Sequence, residues 1–333
     1  MVRYGILGFG LYASRRVMEG FALAKNSRVS ALSRRTLDKA QTSAKQFNIP
    51  LAFDSAKELC SSPQVDAVFV TTPNSLHLSD VLLAIECGKP VLCEKPMGMN
   101  AGECRQMVEA AQRAGVLLGV AQVFRFEDST SNLRERVRSG QVGKPIFARA
   151  EFSYPGRAHP RTWLTDATIA GGGPIADVGV HCIDALRFIL DDEIVQVNAQ
   201  GMNDDASGTV EAAAVLTLTF SKGTLASVLV STRAEYRTPL EIVGEAGVLR
   251  VDDGLTVDRP ITIELKKAGK VVESETVDNH DAYARQVDAF ADAVEGKSRF
   301  PVPGEEGWQN QEILDAAYRS LSSGKTEKVP RIP

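Results

Sequence analysis

Gly8-Phe9-Gly10-Leu11-Tyr12-Ala13 stands between an apolar run, Arg3 to Leu7, and a helix-like stretch, Leu11 to Lys25. The six residues fit the pattern G-x-G-x-x-G/A in its required setting, with a strand before and a helix after. Gly8 permits the tight turn and Gly10 lets the backbone approach a pyrophosphate. Ala13 keeps the helix close to the sheet. Free N–H groups at the helix start then hold phosphates. A dinucleotide site is expected, with Gly8, Phe9, Gly10, Leu11, Tyr12 and Ala13 as its loop. The competing reading is a glycine-rich turn in some other α/β protein.

The end of the next strand bears on which dinucleotide. NAD enzymes place Asp or Glu there, roughly 20 residues on, to hold the ribose 2′-hydroxyl. Here Val29-Ser30-Ala31-Leu32 runs into Ser33-Arg34-Arg35-Thr36. No carboxylate repels a 2′-phosphate, and Arg34 or Arg35 can pair with one and lie on the adenine face. NADP(H) is therefore expected as the preferred cofactor, with NAD(H) possible. The alternative is that the arginines only solvate a loop.

Residues 1–120 alternate strand and helix patterns. Strands are expected at Arg3–Leu7, Val29–Leu32, Ala67–Val70, Val91–Cys93 and Val116–Ala121. Helices are expected at Leu37–Phe47, Leu76–Cys87 and Ala101–Ala114. Such alternation predicts a Rossmann-type, doubly wound parallel sheet with helices on both faces. After about residue 124 the texture changes to a helix at Asn132–Ser139 and then seven further strand-like runs between Ile146 and Lys266, with hairpin-like turns. Helices at Tyr283–Val294 and Trp308–Leu321 close the chain. The fold class expected is α/β, with domain 1–123 binding NADP and domain 124–333 an α+β unit on a large, mostly antiparallel open sheet.

Lys95 sits in Pro90-Val91-Leu92-Cys93-Glu94-Lys95-Pro96. Buried strands rarely carry charge, so this lysine marks a strand's carboxyl end, where open α/β sheets bind ligands. A surface lysine at a strand exit is the plain alternative. Thr71-Thr72-Pro73-Asn74 occupies another strand's carboxyl end, and His77 opens the helix after it. These residues can edge the cofactor, although His77 also reads as a packing or capping histidine.

Gly171-Gly172-Gly173-Pro174 opens a helix that is apolar nearly all round, hence buried. Asp177, His181 and Asp184 fall at i, i+4 and i+7 and form one polar stripe. Buried polar groups are costly unless paired. Transfer of hydride from a carbinol carbon needs a partner for the hydroxyl proton, and histidine suits that task near neutrality. Asp177 can orient the ring or bind a substrate hydroxyl. Lys95 would stabilise a developing alkoxide and favour neutral His181.

Composition limits the remaining classes. The 333 residues suffice for two domains, and 44% hydrophobic with 24% charged is ordinary for a globular protein. A net charge of -4 argues against a general nucleic-acid binder. No run approaches the roughly 18 apolar residues of a membrane helix, and no signal peptide is expected. Five cysteines without C-x-x-C spacing read as reduced cytoplasmic thiols, and no metal site is expected.

With Gly8-x-Gly10-x-x-Ala13, Thr72-Pro73-Asn74-x-x-His77, Glu94-Lys95-Pro96 and Gly172-Gly173-x-x-x-Asp177-x-Gly179-x-His181 in view, the chain resembles the glucose–fructose oxidoreductase / inositol dehydrogenase (Gfo/Idh/MocA) family over nearly its whole length. The serine–arginine end of the second strand is similar to the NADP-dependent sugar and dihydrodiol dehydrogenase-like branch. The resemblance implies that Lys95, beside Glu94, contacts the nicotinamide ribose and the substrate, and that the Lys95–Pro96 peptide is often cis. It implies His181 as proton donor or acceptor, with Asp177 beside it. Arg125, in Val123-Phe124-Arg125-Phe126, matches a segment near the nicotinamide, but Glu127 and Asp128 replace the usual proline. Trp163 matches an active-site tryptophan, with Leu164 where many relatives carry arginine. Tyr154, Arg157, His159 and Tyr236 are candidate substrate-pocket liners. Homodimers or homotetramers through the C-terminal sheet are implied, with a small sugar- or polyol-like substrate and neither nucleic acid nor membrane as partner.

The function expected is an NADP(H)-dependent oxidoreductase acting on a carbinol or carbonyl carbon of a sugar, polyol or related cyclic compound. The alternatives are an NADP-binding sensor without turnover, and a hydrolase or lyase that uses a tightly bound dinucleotide for transient oxidation.

Overall fold

The computed structural model describes residues 1–156, 160–204 and 207–332. Its elements begin with β1 (Val2–Leu7), a π-helical turn (Ala13–Val17) continuing into α1 (Met18–Leu23), β2 (Ser27–Ser33), α2 (Leu37–Phe47), β3 (Leu51–Phe53) and α3 (Ala56–Ser61). β4 (Ala67–Val70), α4 (His77–Glu86), β5 (Val91–Cys93), α5 (Ala101–Ala114) and β6 (Leu118–Val120) follow. Next come α6 (Asp128–Arg138), β7 (Pro145–Ser153), the short α7 (Ala167–Ala170), a second π turn (Ile175–Gly179) and α8 (Val180–Leu190). β8 (Ile194–Met202), β9 (Ala213–Phe220), β10 (Leu225–Ser231), β11 (Leu240–Gly244), β12 (Val248–Val251), β13 (Pro260–Lys267) and β14 (Lys270–Asp278) form a run of strands. The chain closes with α9 (Ala282–Val294), α10 (Gly304–Ser323) and β15 (Glu327–Lys328).

The first sheet has six strands in the order β3-β2-β1-β4-β5-β6. Every pairing in it is parallel. This is the doubly wound order whose switch point lies between β1 and β4, and ligands bind outside the carboxyl ends there. β4 and β5 are buried along their whole length, as strands covered on both faces must be. Caps fit the sequence: Asn100 accepts from the Glu103 N–H at the start of α5, and Gly115 ends it in the left-handed region.

The second sheet has nine strands in the order β14-β13-β12-β11-β7-β10-β9-β8-β15. It is antiparallel except for β10 against β7. One face packs Ala148, Ala150, Leu216, Leu218, Val228 and Val230 into a core. The alternate residues Phe147, Val215 and Leu225 are 53%, 46% and 49% exposed. Phe147 is the register partner of Leu225, so these two side chains adjoin, while Val215 lies on the same face farther along, opposite Leu229.

The fold class is thus as the sequence indicated, a Rossmann sheet and a large, mostly antiparallel sheet. Two compact units form: Met1–Gln122 with Tyr283–Trp308, and Val123–Ala282 with the chain from Gln309 on. Residues 283–308, expected in the second domain, therefore cluster with the first. The Tyr4 hydroxyl donates to the Val287 carbonyl, and Phe300 covers Gly119, where an added Cβ would lie 2.6 Å from that ring. No helix of the described residues is long and apolar enough to cross a membrane.

Candidate active site

In the first unit, Gly8 has φ +78, and a Cβ there would lie 2.5 Å from the Thr72 side chain. Only glycine meets both conditions. Thr71 Oγ1 donates to the Leu7 and Gly8 carbonyls at 2.9 and 3.1 Å, clasping the turn to the end of β4. Ser33 holds it from the other side, its Oγ and carbonyl accepting from Gly8 and Phe9 N–H at 3.4 and 2.9 Å. A Cβ on Gly10 would meet nothing nearer than the Gly8 carbonyl at 3.6 Å, which leaves that face of the loop accessible to a pyrophosphate. The loop fits a dinucleotide. Leu11, its fourth residue, lines the adjoining cavity together with Phe9, whose ring packs against Phe47 at 5.3 Å.

Tyr12 does work that the motif does not announce. The Tyr12 hydroxyl is bound to Glu94 and Tyr283, and burial first, then Glu94, pushes its pKa well up. Glu94 in turn accepts from the Lys95 N–H at 3.2 Å. Lys95 is half-buried directly after β5, and the Lys95–Pro96 peptide is cis. His77 is fully buried, with Nδ1 3.0 Å from the Pro96 carbonyl and Nε2 2.9 Å from the Thr72 carbonyl. Burial lowers its pKa, and Lys95 adds to the lowering. His77 therefore ties the loop after β4 to the loop after β5. Thr72 donates to Asp80 at 2.8 Å, Pro73 precedes the single turn Asn74–Leu76, and Asn74 is buried.

A cavity of about 380 Å³ opens beside the glycine turn, lined by Gly10, Ser14, Arg15, Arg34, Ser43 and Gln46 among others. Arg34 reaches it while donating to Ser43 Oγ at 2.8 Å. Arg35 is exposed and does not line it. Arg15 was not singled out by the sequence, because the fingerprint ends at Ala13.

In the second unit, His181 is 8% exposed on α8. The Phe124 ring meets its imidazole edge-on at 4.6 Å, and Phe152 stacks on it at 6.1 Å. Tyr236 stands against Phe152 at 6.3 Å, and its hydroxyl contacts Thr256 at 2.8 Å. Asp177 lies in the second π turn and accepts from the Tyr154 hydroxyl at 2.6 Å. Burial, then the Asp177 charge, raises the Tyr154 pKa. Trp163 lies in a single turn, with the Arg161 guanidinium 5.9 Å from its ring. Arg157 and His159 lie outside the described residues.

The stripe Asp177–His181–Asp184 divides. Asp184 is 1% exposed and accepts from Arg125 Nε and Nη2 at 2.8 and 2.7 Å and from Asn310 at 2.8 Å. Arg125, expected beside the cofactor, is thus a partner of Asp184 and packs over Phe188 at 5.5 Å. Sequence reasoning also missed Glu211. Its carboxylate accepts from the Gly173 and Ile175 N–H groups at 3.0 and 2.9 Å and from the Tyr318 hydroxyl at 3.1 Å. It thereby caps the start of the helix that carries Asp177 and His181. No group of three or more metal-ligating side chains occurs among the described residues.

Residues 2–122 match a family model described as the oxidoreductase family, NAD-binding Rossmann fold, and residues 130–250 match the GFO/IDH/MocA C-terminal domain. A 1,5-anhydro-D-fructose reductase of Ensifer adhaerens is 30% identical over 343 aligned positions, covering 99% of both chains. A mouse trans-1,2-dihydrobenzene-1,2-diol dehydrogenase is 39% identical over 191 positions, covering 57% of this chain and 56% of its own. The crystal structure of an aldose-aldose oxidoreductase from Caulobacter crescentus complexed with glycerol superposes with a TM-score of 0.90 at 27% identity, covering 98% of this chain and 99% of the other. The chain belongs to the Gfo/Idh/MocA family of oxidoreductases.

Proposed function

We propose that the protein is an NADP(H)-dependent oxidoreductase acting on the carbinol or carbonyl carbon of a sugar, polyol or related cyclic substrate. The observation that carries the reading is the Glu94 bridge. One carboxylate holds both the Lys95 backbone N–H and the Tyr12 hydroxyl, tying a cation at the end of β5 to the glycine turn. Bound at that turn, the nicotinamide cofactor supplies or accepts the hydride. Lys95 provides the positive charge that stabilises an alkoxide on the reacting carbon. His181 takes the hydroxyl proton at an imidazole nitrogen during oxidation and returns it during reduction. Asp177 and Tyr154 form a short hydrogen-bonded pair that can hold a substrate hydroxyl. The named relatives support the substrate class: one reduces 1,5-anhydro-D-fructose, and one is named a D-xylose 1-dehydrogenase (NADP(+)) in Haloferax volcanii, 30% identical over 96% of this chain and 98% of its own.

Lys95→Ala and His181→Ala should keep the far-ultraviolet dichroism and Tm of the parent and lower kcat by about 100-fold or more each. Near-normal kcat/KM in both variants, on a substrate that the parent turns over, would overturn the mechanism. The exposed apolar residues Phe147, Leu225 and Val215 on one face of the second sheet support assembly as a homodimer or homotetramer. Light scattering that returns a single 35.9 kDa chain would remove that part of the proposal.

A further inference from the structure

We infer that Arg15 and Arg34 together form the site for the ribose 2′-phosphate, a two-guanidinium clamp in which Arg35 takes no part; this rests on the NADP(H) reading. The sequence offers Arg34 and Arg35 equally, because both follow β2. In the fold they separate. Arg34 turns into the cavity beside the glycine loop, fixed by its bond to Ser43, while Arg35 lies outside the lining. The place of a second guanidinium is taken by a residue from another element.

Arg15 lies on the π turn that follows the glycine loop, and Ser14 of the same turn also lines the cavity. π turns re-aim side chains relative to an α-helix and recur at functional sites. Its neighbour Arg16 is paired with Glu19 at 3.7 Å, whereas Arg15 has no carboxylate within ion-pair distance among the described residues. The cavity lining contains no acid at all: two arginines, Ser14, Ser43 and Gln46 are its polar members. One wall is the Phe9–Phe47 pair, an apolar surface of the kind a purine or ribose covers. A region with two unneutralised guanidinium groups, hydroxyls and an amide favours a phosphate dianion. Each arginine fork can give it two parallel, charge-assisted bonds. A ribose bearing only a 2′-hydroxyl would leave both forks to water.

The test is calorimetric binding of 2′,5′-ADP, 5′-AMP and NAD⁺ to the full chain and to Arg15→Ala, Arg34→Ala and Arg35→Ala. Arg15→Ala and Arg34→Ala should each weaken 2′,5′-ADP about 10- to 100-fold and leave 5′-AMP and NAD⁺ within about two-fold. The dependence of 2′,5′-ADP affinity on salt should also become shallower in both. Arg35→Ala should bind all three like the parent. Retained NAD⁺ binding shows that each variant is folded at the site. A parent that prefers 2′,5′-ADP, with Arg15→Ala unchanged or Arg35→Ala equally damaged, overturns the clamp and leaves the NADP(H) reading standing. A parent that binds 2′,5′-ADP no tighter than 5′-AMP overturns both.

Discussion

Glu127 carries a carboxyl group to a position with no solvent exposure. Oε2 accepts from Ser129 and Thr130 at 3.4 and 3.2 Å, and Oε1 has no hydrogen-bond partner among the described residues. Burial pushes its pKa well up, and the two hydroxyls only partly oppose this. A folded-state pKa above the unfolded value of about 4.3 means that the group favours folding fully below that value. That contribution is lost as pH rises through the folded-state pKa. Glu127→Gln removes the proton equilibrium and keeps the shape. Its Tm should match the parent below about pH 4 and exceed it increasingly towards pH 8, as read by thermal melts across that range. Parallel curves would show that Glu127 does not carry the pH dependence. In the sequence this residue was visible only as a departure from the expected proline. His77 was legible as a conspicuous residue, with capping as one of its readings. Its two carbonyl contacts, to loops 5 and 19 positions away, are tertiary facts that spacing does not encode.

At the scale of elements, the helix bearing His181 shows where periodicity helps and where it misleads. Its apolar surround marked it as buried, and its polar stripe made it a candidate site. The i, i+4, i+7 stripe assumed uniform α-helical turns, but Ile175–Gly179 is π-helical, and the stripe's last member serves Arg125 and Asn310 instead. Short or polar elements escaped for a related reason. β3 has three residues, too few to show a period, and β14 is exposed along most of its length and alternates nothing. The cap on the His181 helix comes from residue 211, which no local pattern could supply. Glu211→Ala should leave the Gly173 and Ile175 N–H groups without their acceptor and cost about 1–3 kcal/mol in urea unfolding. Gly173→Ala should do at least as much damage, because its Cβ would lie 2.3 Å from the Glu211 carbonyl. Unfolding midpoints equal to the parent's in both variants would show that this cap is not needed.

For the whole molecule, strand–helix alternation was enough to foresee a Rossmann sheet followed by an antiparallel one, because a buried parallel strand and a half-exposed antiparallel strand differ in composition. It was not enough to say where the helix at 282–294 belongs. That helix has an apolar face, and a periodic pattern says that such a face is covered without saying by what. The structure answers through specific contacts: Tyr4 and Ser27 donate to the Val287 carbonyl, Asp288 accepts from the Lys25 and Asn26 N–H groups, and the Val120 N–H donates to the Val302 carbonyl. Phe290 and Phe300 pack at 5.1 Å, with an added Cβ on Gly119 falling within 3.0 Å of both rings. A fragment ending at Gln122 would expose Tyr4 and the β6 edge and lose these partners, at a cost of about 2 kcal/mol or more for each large ring uncovered. Against a typical domain stability of about 5–15 kcal/mol, that loss is decisive. Residues 1–122 alone should therefore lack cooperative unfolding. The same residues joined to 283–308 by a flexible glycine–serine linker should unfold cooperatively and bind 2′,5′-ADP. A cooperative, ligand-binding 1–122 fragment would show that the returning segment is an accessory to a domain already complete.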